Sequence, residues 1–290
     1  MMREFAVEPL LLTHWSEFRY LHEKFGVSKA RLIAEFPKKW RRMVFAAASG
    51  YTEQQMNMLI EWMADKELFL IPSRRNYAIA DDWLQSAEVA HDKQPFHAIL
   101  AKSNPRNHPQ VLLPCNISID KHPLFECPFE TFMPRDLSGF IEICGLLLKN
   151  SRQIIFVDPY FKANDAWGLT LSAMLSCTSD NPELLRYCAG ISPRGETEEH
   201  RISELQSKLP KFIPDGKTVE IILLNKSPEL DLHNRYILTE RGGIKFPWGL
   251  DASGQGSRDV VNLMEEKTSS TMFNNFLTIK KELISVSFSA

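Results

Sequence analysis

The sequence predicts an α/β protein, and three observations predict it. From Pro134 onward, short apolar strands alternate with helical segments. The strands IIFV, LLRYCAG and VEIILL are mostly apolar runs rather than strict alternations, which fits a mixed sheet with helices on both faces. The first 95 residues carry helical apolar stripes instead, so a mostly helical N-terminal domain, winged-helix-like in outline, is expected ahead of the sheet.

Each N-terminal element has its own signal. Trp15, Phe18, Leu21, His22 and Phe25 form an i, i+3, i+4 stripe that ends at Gly26. Ser28 is placed to cap a second helix, Lys29 to Phe36. Pro37 suits the first turn of a third, through Trp40, Val44 and Phe45 to Gly50. Thr52 and Gln55 have capping-box spacing ahead of Met56, Leu59, Ile60 and Met63. LFLIPS and NYAIA read as two short strands or a small wing, and Asp81 as the cap of a helix through Val89. Residues 101–134, rich in Pro, Asn and His, read as a linker containing one strand, Val111 to Leu113. The division is drawn as residues 1–110 and 111–290.

In the second half, Asp136 caps an apolar helix to Lys149. RQIIFVDPYF is a strand ending in Asp-Pro-Tyr, followed by a helix from Ala163 to about Cys177. LLRYCAGIS is a strand, Glu196 to Leu209 a polar helix, and VEIILLN, LHNRYILTE and GIKFP three more strands. Val260 to Thr268 and Met272 to Lys281 read as closing helices.

Composition narrows the function classes. The 44% hydrophobic and 24% charged fractions are globular values, and the formal net charge of −2 excludes an overall basic protein without excluding a local basic patch. Acids and a proline around three consecutive leucines make the start a poor signal peptide. The longest apolar-rich stretch, Phe140 to Leu148, is far too short for a bilayer span, so a soluble cytoplasmic protein is expected. The five cysteines are scattered with no C-x-x-C pair, which fits reduced thiols rather than disulfides or zinc; no metal or other cofactor is expected.

The chemistry-bearing segment is DLHNRYILTERGGIKFPWGLD, Asp231 to Asp251. His233 and Arg235 are two apart and share one side of an extended chain, while Tyr236 and Leu238 point to the other. Glu240 follows at the Arg241-Gly242-Gly243 turn. With 34 Lys and Arg among 290 residues, about one of the eight histidines should meet a basic residue two positions on by chance, and His22 and His91 do so as well. The strand context, Glu240 and the double glycine set His233 apart. The plainer reading is a strand whose His and Arg satisfy buried carbonyls or a neighbouring Asp.

The His233, Arg235, Glu240 spacing resembles the H-x-K-x4-D motif of the phospholipase D superfamily, and the strand ending in Asp-Pro-Tyr is similar to one in divergent members. The resemblance covers roughly residues 134–280. It implies that His233 is the nucleophile, that Arg235 stands for the phosphate-neutralising lysine, and that Glu240 stands for the aspartate supporting a histidine. Lys has become Arg, Asp has become Glu, PWG at Pro247 to Gly249 replaces the Gly-Ser of active members, and a second motif is absent. A two-histidine site would then require a homodimer. Two functions follow: a metal-independent nuclease, with phage defence as the setting the resemblance suggests, or an inactive module binding nucleic acid or a protein partner within a larger complex.

Asp158 and Tyr160 lie at the strand's carboxyl edge, where Asp158 is placed to orient His233 or pair with Arg235, or else only to cap a turn. Asp251 and Ser253 are weaker candidates for the same cleft. Lys29 to Arg42 is the other basic feature: Lys38, Lys39, Arg41 and Arg42 bracket Trp40 and suit phosphate contacts, or a solvated helix face with Trp40 in the core.

Overall fold

The computed structural model describes residues 1–77, 82–114, 122–191, 197–224, 234–252, 254 and 256–279, with the backbone of Ser285–Ser289. The chain divides into two compact units, Met2–Pro128 and Phe129–Ala290.

The first unit is built on β1 (Arg3–Val7), α1 (Trp15–Lys24), β2 (Arg31–Glu35), α2 (Trp40–Ala47), α3 (Glu53–Ala64), β3 (Leu70–Pro72), α4 (Trp83–Lys93), β4 (Ala98–Leu100) and β5 (Val111–Leu112). The strands form one sheet, ordered β3-β2-β1-β4-β5, in which every pairing is parallel. This corrects the expectation of a mostly helical, winged-helix-like domain. The Lys29 to Phe36 segment is the main reason. Leu32, Ile33 and Ala34 are buried on both sides of β2, and so short an apolar run fits a buried strand as well as a helix turn. β1 and β4 escaped notice for the same reason. Val111–Leu112 pairs with β4 and so belongs to this unit.

Several local signals hold. Thr52 and Gln55 form the capping box of α3. Gly26 has φ 144°, a conformation that favours glycine, and ends the turn after α1. Asp82, rather than Asp81, caps α4, its carboxylate accepting the Gln85 N–H at 2.6 Å; Asp81 itself lies outside the described residues. Trp40 is fully buried and donates its indole N–H to the Val7 carbonyl at 2.6 Å, so it fastens α2 to the end of β1.

The second unit contains β6 (Glu130–Pro134), α5 (Leu137–Asn150), β7 (Gln153–Val157), α6 (Asp165–Ser176), β8 (Leu184–Gly190), α7 (Glu198–Lys208), β9 (Thr218–Leu224), β10 (Arg235–Thr239), β11 (Gly242–Phe246), β12 (Arg258–Leu263), α8 (Glu266–Leu277) and β13 (Ser285–Ser289). The sheet order is β13-β9-β8-β7-β10-β11-β12-β6. β7, β8 and β9 run parallel, and the other pairings are antiparallel, so the sheet is mixed. Ile155, Val157, Cys188, Ile222, Tyr236 and Leu238 form one core against Phe273 and Phe276 of α8. The opposite face packs on α5, where the Phe140 and Phe246 rings stack at 5.8 Å. Helices therefore cover both faces.

The helix expected from Val260 to Thr268 is β12 followed by the start of α8. Val260 and Val261 are β-branched, and burial alternates along the segment, a strand signature. In place of two closing helices there is the single helix α8, Glu266–Leu277, after β12. Among the described residues, no helix is long and apolar enough to cross a membrane.

Asp136 caps α5 by accepting the Gly139 N–H at 2.8 Å, and that turn lies hard against β6. A Cβ on Gly139 would sit inside the van der Waals shell of the Pro134 backbone carbonyl, which cannot rotate away. A Cβ on Gly145, farther along α5, would meet nothing closer than 3.8 Å. Gly139→Ala should destabilise the second unit by about 1–3 kcal/mol. Gly145→Ala should be neutral or stabilise it by about 0.5–1 kcal/mol. Urea midpoints of the two variants check this contrast.

Candidate functional site

The antiparallel register of β10 on β7 decides which of the motif residues meet. Tyr236 faces Val157 and Thr239 faces Ile154, so Arg235 arrives beside Asp158 at the carboxyl end of β7, and Glu240 reaches the opposite end. Five residues of strand separate the two, about 16 Å at 3.3 Å per residue.

Asp158 is fully buried at this carboxyl end. Its Oδ1 accepts the Tyr160 N–H at 2.9 Å. Its Oδ2 accepts the Leu250 N–H at 2.9 Å and the Trp167 indole N–H at 3.1 Å. One carboxylate therefore joins the turn after β7, helix α6 and the loop after β11. Burial pushes the Asp158 carboxyl above the usual range, and these donors with the Arg235 guanidinium oppose that rise.

Arg235 stands across the same end. Its Nε is 3.8 Å from Asp158 Oδ1, its Nη1 donates to the Pro247 carbonyl at 3.3 Å, and its Cζ lies 4.7 Å from the centre of the Tyr160 ring. Tyr160 is 42% exposed and Trp248 is 65% exposed, so two aromatic rings reach solvent beside a guanidinium whose side chain is only 19% exposed.

The PWGLD loop is held from below by Arg135. Its guanidinium donates to the Gly249 carbonyl at 3.3 Å and to the Asp251 carbonyl and carboxylate at 3.0 and 2.8 Å, and it also reaches Asp259. Gly249 leaves room for two carboxylates: an added Cβ there would run into that of Asp251 and come within 3.4 Å of that of Asp158. Tyr187, buried under the same end, has a hydroxyl with no hydrogen-bond partner among the described residues, and burial raises its pKa well above the ordinary value.

Glu240 has a different task. Its two oxygens accept the backbone N–H groups of Arg152 and Gln153 at 2.8 and 3.0 Å, closing the start of β7. The structure thus brings together Arg235, Asp158 and Tyr160 and holds Glu240 apart from them. His233, Asp231 and Ser253 lie outside the described residues. Sequence reasoning missed Arg135, Trp167 and Tyr187. Arg135 and Asp251 are 116 positions apart and no spacing connects them, Trp167 reaches Asp158 from the first turn of α6, and Tyr187 comes from the neighbouring strand β8.

The second predicted patch belongs to the first unit. Arg31 is buried, with its Nε donating to the Phe125 carbonyl at 2.9 Å, and Arg41 pairs with Glu35 at 3.0 Å. Lys38, Lys39 and Arg42 instead line a cleft of about 670 Å³ at the carboxyl ends of β2 and β3, across from Tyr77. No protein-family model and no curated protein matches the chain.

Asp158 is the hub of its end of the sheet, so its replacements should differ sharply. Asp158→Ala leaves three donors and the Arg235 charge without their acceptor and should cost about 3–5 kcal/mol. Asp158→Asn keeps the shape and one acceptor oxygen and should cost clearly less. Chemical denaturation of both variants checks this ranking; equal losses would deny Asp158 its hub role.

Proposed function

We propose that the second unit is a divergent phospholipase D-like module that binds the phosphodiester backbone of nucleic acid at the Arg235 end of β10. One observation carries this reading. The Arg235 guanidinium is fixed in advance by the Asp158 carboxylate, the Pro247 carbonyl and the Tyr160 ring at the carboxyl edge of a parallel strand. A guanidinium held in place loses little entropy when it meets a phosphate, and it offers paired donors. Tyr160 and Trp248 supply exposed rings on which bases stack.

Binding is favoured over cleavage because Asp158 already opposes the charge of Arg235 and Glu240 is occupied at the far end of the strand. In this reading the motif keeps its phosphate contact and has given up the acid partner of its histidine. A cleaving enzyme would need His233 from two chains, hence a homodimer.

Fluorescence anisotropy with a labelled single-stranded oligonucleotide tests the proposal. Arg235→Ala should weaken binding at least tenfold, Arg235→Lys should lie between it and the wild type, and Glu240→Gln should lower thermal stability while leaving affinity unchanged. Undiminished binding by a folded Arg235→Ala protein would defeat it. Chelator-resistant cleavage by the wild type that His233→Ala abolishes would instead establish the nuclease reading.

A further inference from the structure

The first unit offers a second site whose chemistry is independent of the second. Its sheet order, β3-β2-β1-β4-β5, reverses direction between β1 and β4, where open parallel sheets ordinarily receive ligands at their carboxyl edge. Here the chain closes that position on itself. The Glu8 N–H donates to the Leu100 carbonyl at 2.8 Å, and the Glu8 carboxylate accepts the Lys102 N–H at 2.7 Å. An acid at that spot also disfavours an anion. No glycine-rich turn follows β1, where the sequence reads VEPLLL. The opening lies to one side, over β2 and β3.

That opening has the size and lining of a small-ligand site. It measures about 670 Å³, and Pro37, Met43 and Ala46 give it an apolar wall. Tyr77 stands opposite, its ring 5.2 Å from the buried Phe36 ring and 38% exposed. Of its four cationic lining residues, Arg75 is paired with Glu4, while Lys38, Lys39 and Arg42 have no ion-pair partner among the described residues.

The placement of these cations is the telling feature. Lys39 is the N-cap of α2, Arg41 and Arg42 lie in its first turn, and that turn contains no acidic residue. A helix N-terminus carries partial positive charge and ordinarily attracts acids. Only Arg41 is offset, by Glu35. Positive side chains gathered on a positive helix end repel one another in the unliganded protein, and a bound anion removes that repulsion.

We propose that this cleft binds a nucleoside phosphate, with the phosphates on Lys38, Lys39 and Arg42 and the base against Tyr77. The phosphates are held by side chains rather than by a backbone nest, so affinity falls steeply with salt. The same chemistry is presented by a free nucleotide and by a nucleotide unit of a strand, and competition separates these sources.

Isothermal titration calorimetry of the full chain with ATP, tripolyphosphate and a single-stranded oligonucleotide tests the site. Wild type should bind one ATP per chain. Arg42→Ala and the Lys38→Ala, Lys39→Ala double variant should each weaken ATP at least tenfold, and Ala46→Glu should remove binding. Tyr77→Ala should weaken ATP while leaving tripolyphosphate unchanged. All these positions are exposed, and thermal melts should match the wild type. An oligonucleotide that displaces ATP marks the strand as the source, and one that does not marks the free nucleotide. Failure of wild type to bind ATP, equal binding by the basic-residue variants, or tripolyphosphate binding as tight as ATP would overturn the proposal.

Discussion

The second unit depends on one buried carboxylate. Asp158 sits where β7 ends and accepts hydrogen bonds from the turn that follows, from α6 and from the PWGLD loop, while facing Arg235 across the strand pair. Burying a charged group is costly unless its hydrogen-bonding capacity is met and a counter-charge is near. Both conditions hold here, and meeting them fixes the positions of Tyr160, Trp167, Leu250 and Arg235 together. Arg135 repeats the arrangement one layer below, with Asp251 and Asp259 as its acids.

The same constraint orders the loop after β11. A loop that donates its Leu250 N–H to Asp158, offers its Pro247 carbonyl to Arg235 and rests on Arg135 has little freedom, and Gly249 is the residue that lets two carboxylates come close beneath it. The Glu240 carboxylate, 5 positions beyond Arg235, closes the other end of the same strand pair. Asp158 and Glu240 therefore serve opposite ends of β7, one beside the exposed aromatic rings and one in the backbone of the sheet.

Much of the second unit was legible in the sequence because its signals are local. Asp136 before an apolar helix, the IIFV and VEIILL runs and the glycine pair after Thr239 each fix structure within a few residues. The pairing of Asp158 with Arg235 was also within reach, because both sit at the ends of recognisable strands. The first unit was misread where local signals are ambiguous. Strands of three to five residues such as Ala98–Leu100 and Arg31–Glu35 are too short to show a period, and only their parallel neighbours define them, whereas the LFLIPS run does contain the strand Leu70–Pro72. The Arg135 network was illegible for a different reason: the contact spans more than a hundred residues of chain and depends on how the sheet is ordered.

A double-mutant cycle on Asp158→Asn and Arg235→Ala, measured as unfolding free energy, tests most directly whether this carboxylate positions that guanidinium. Groups in one buried network couple by about 0.5–3 kcal/mol, and coupling in that range, with the double variant less impaired than the sum of the single ones, is the expected result. Additive effects would contradict it, because Arg235 would then owe its position to the strand alone.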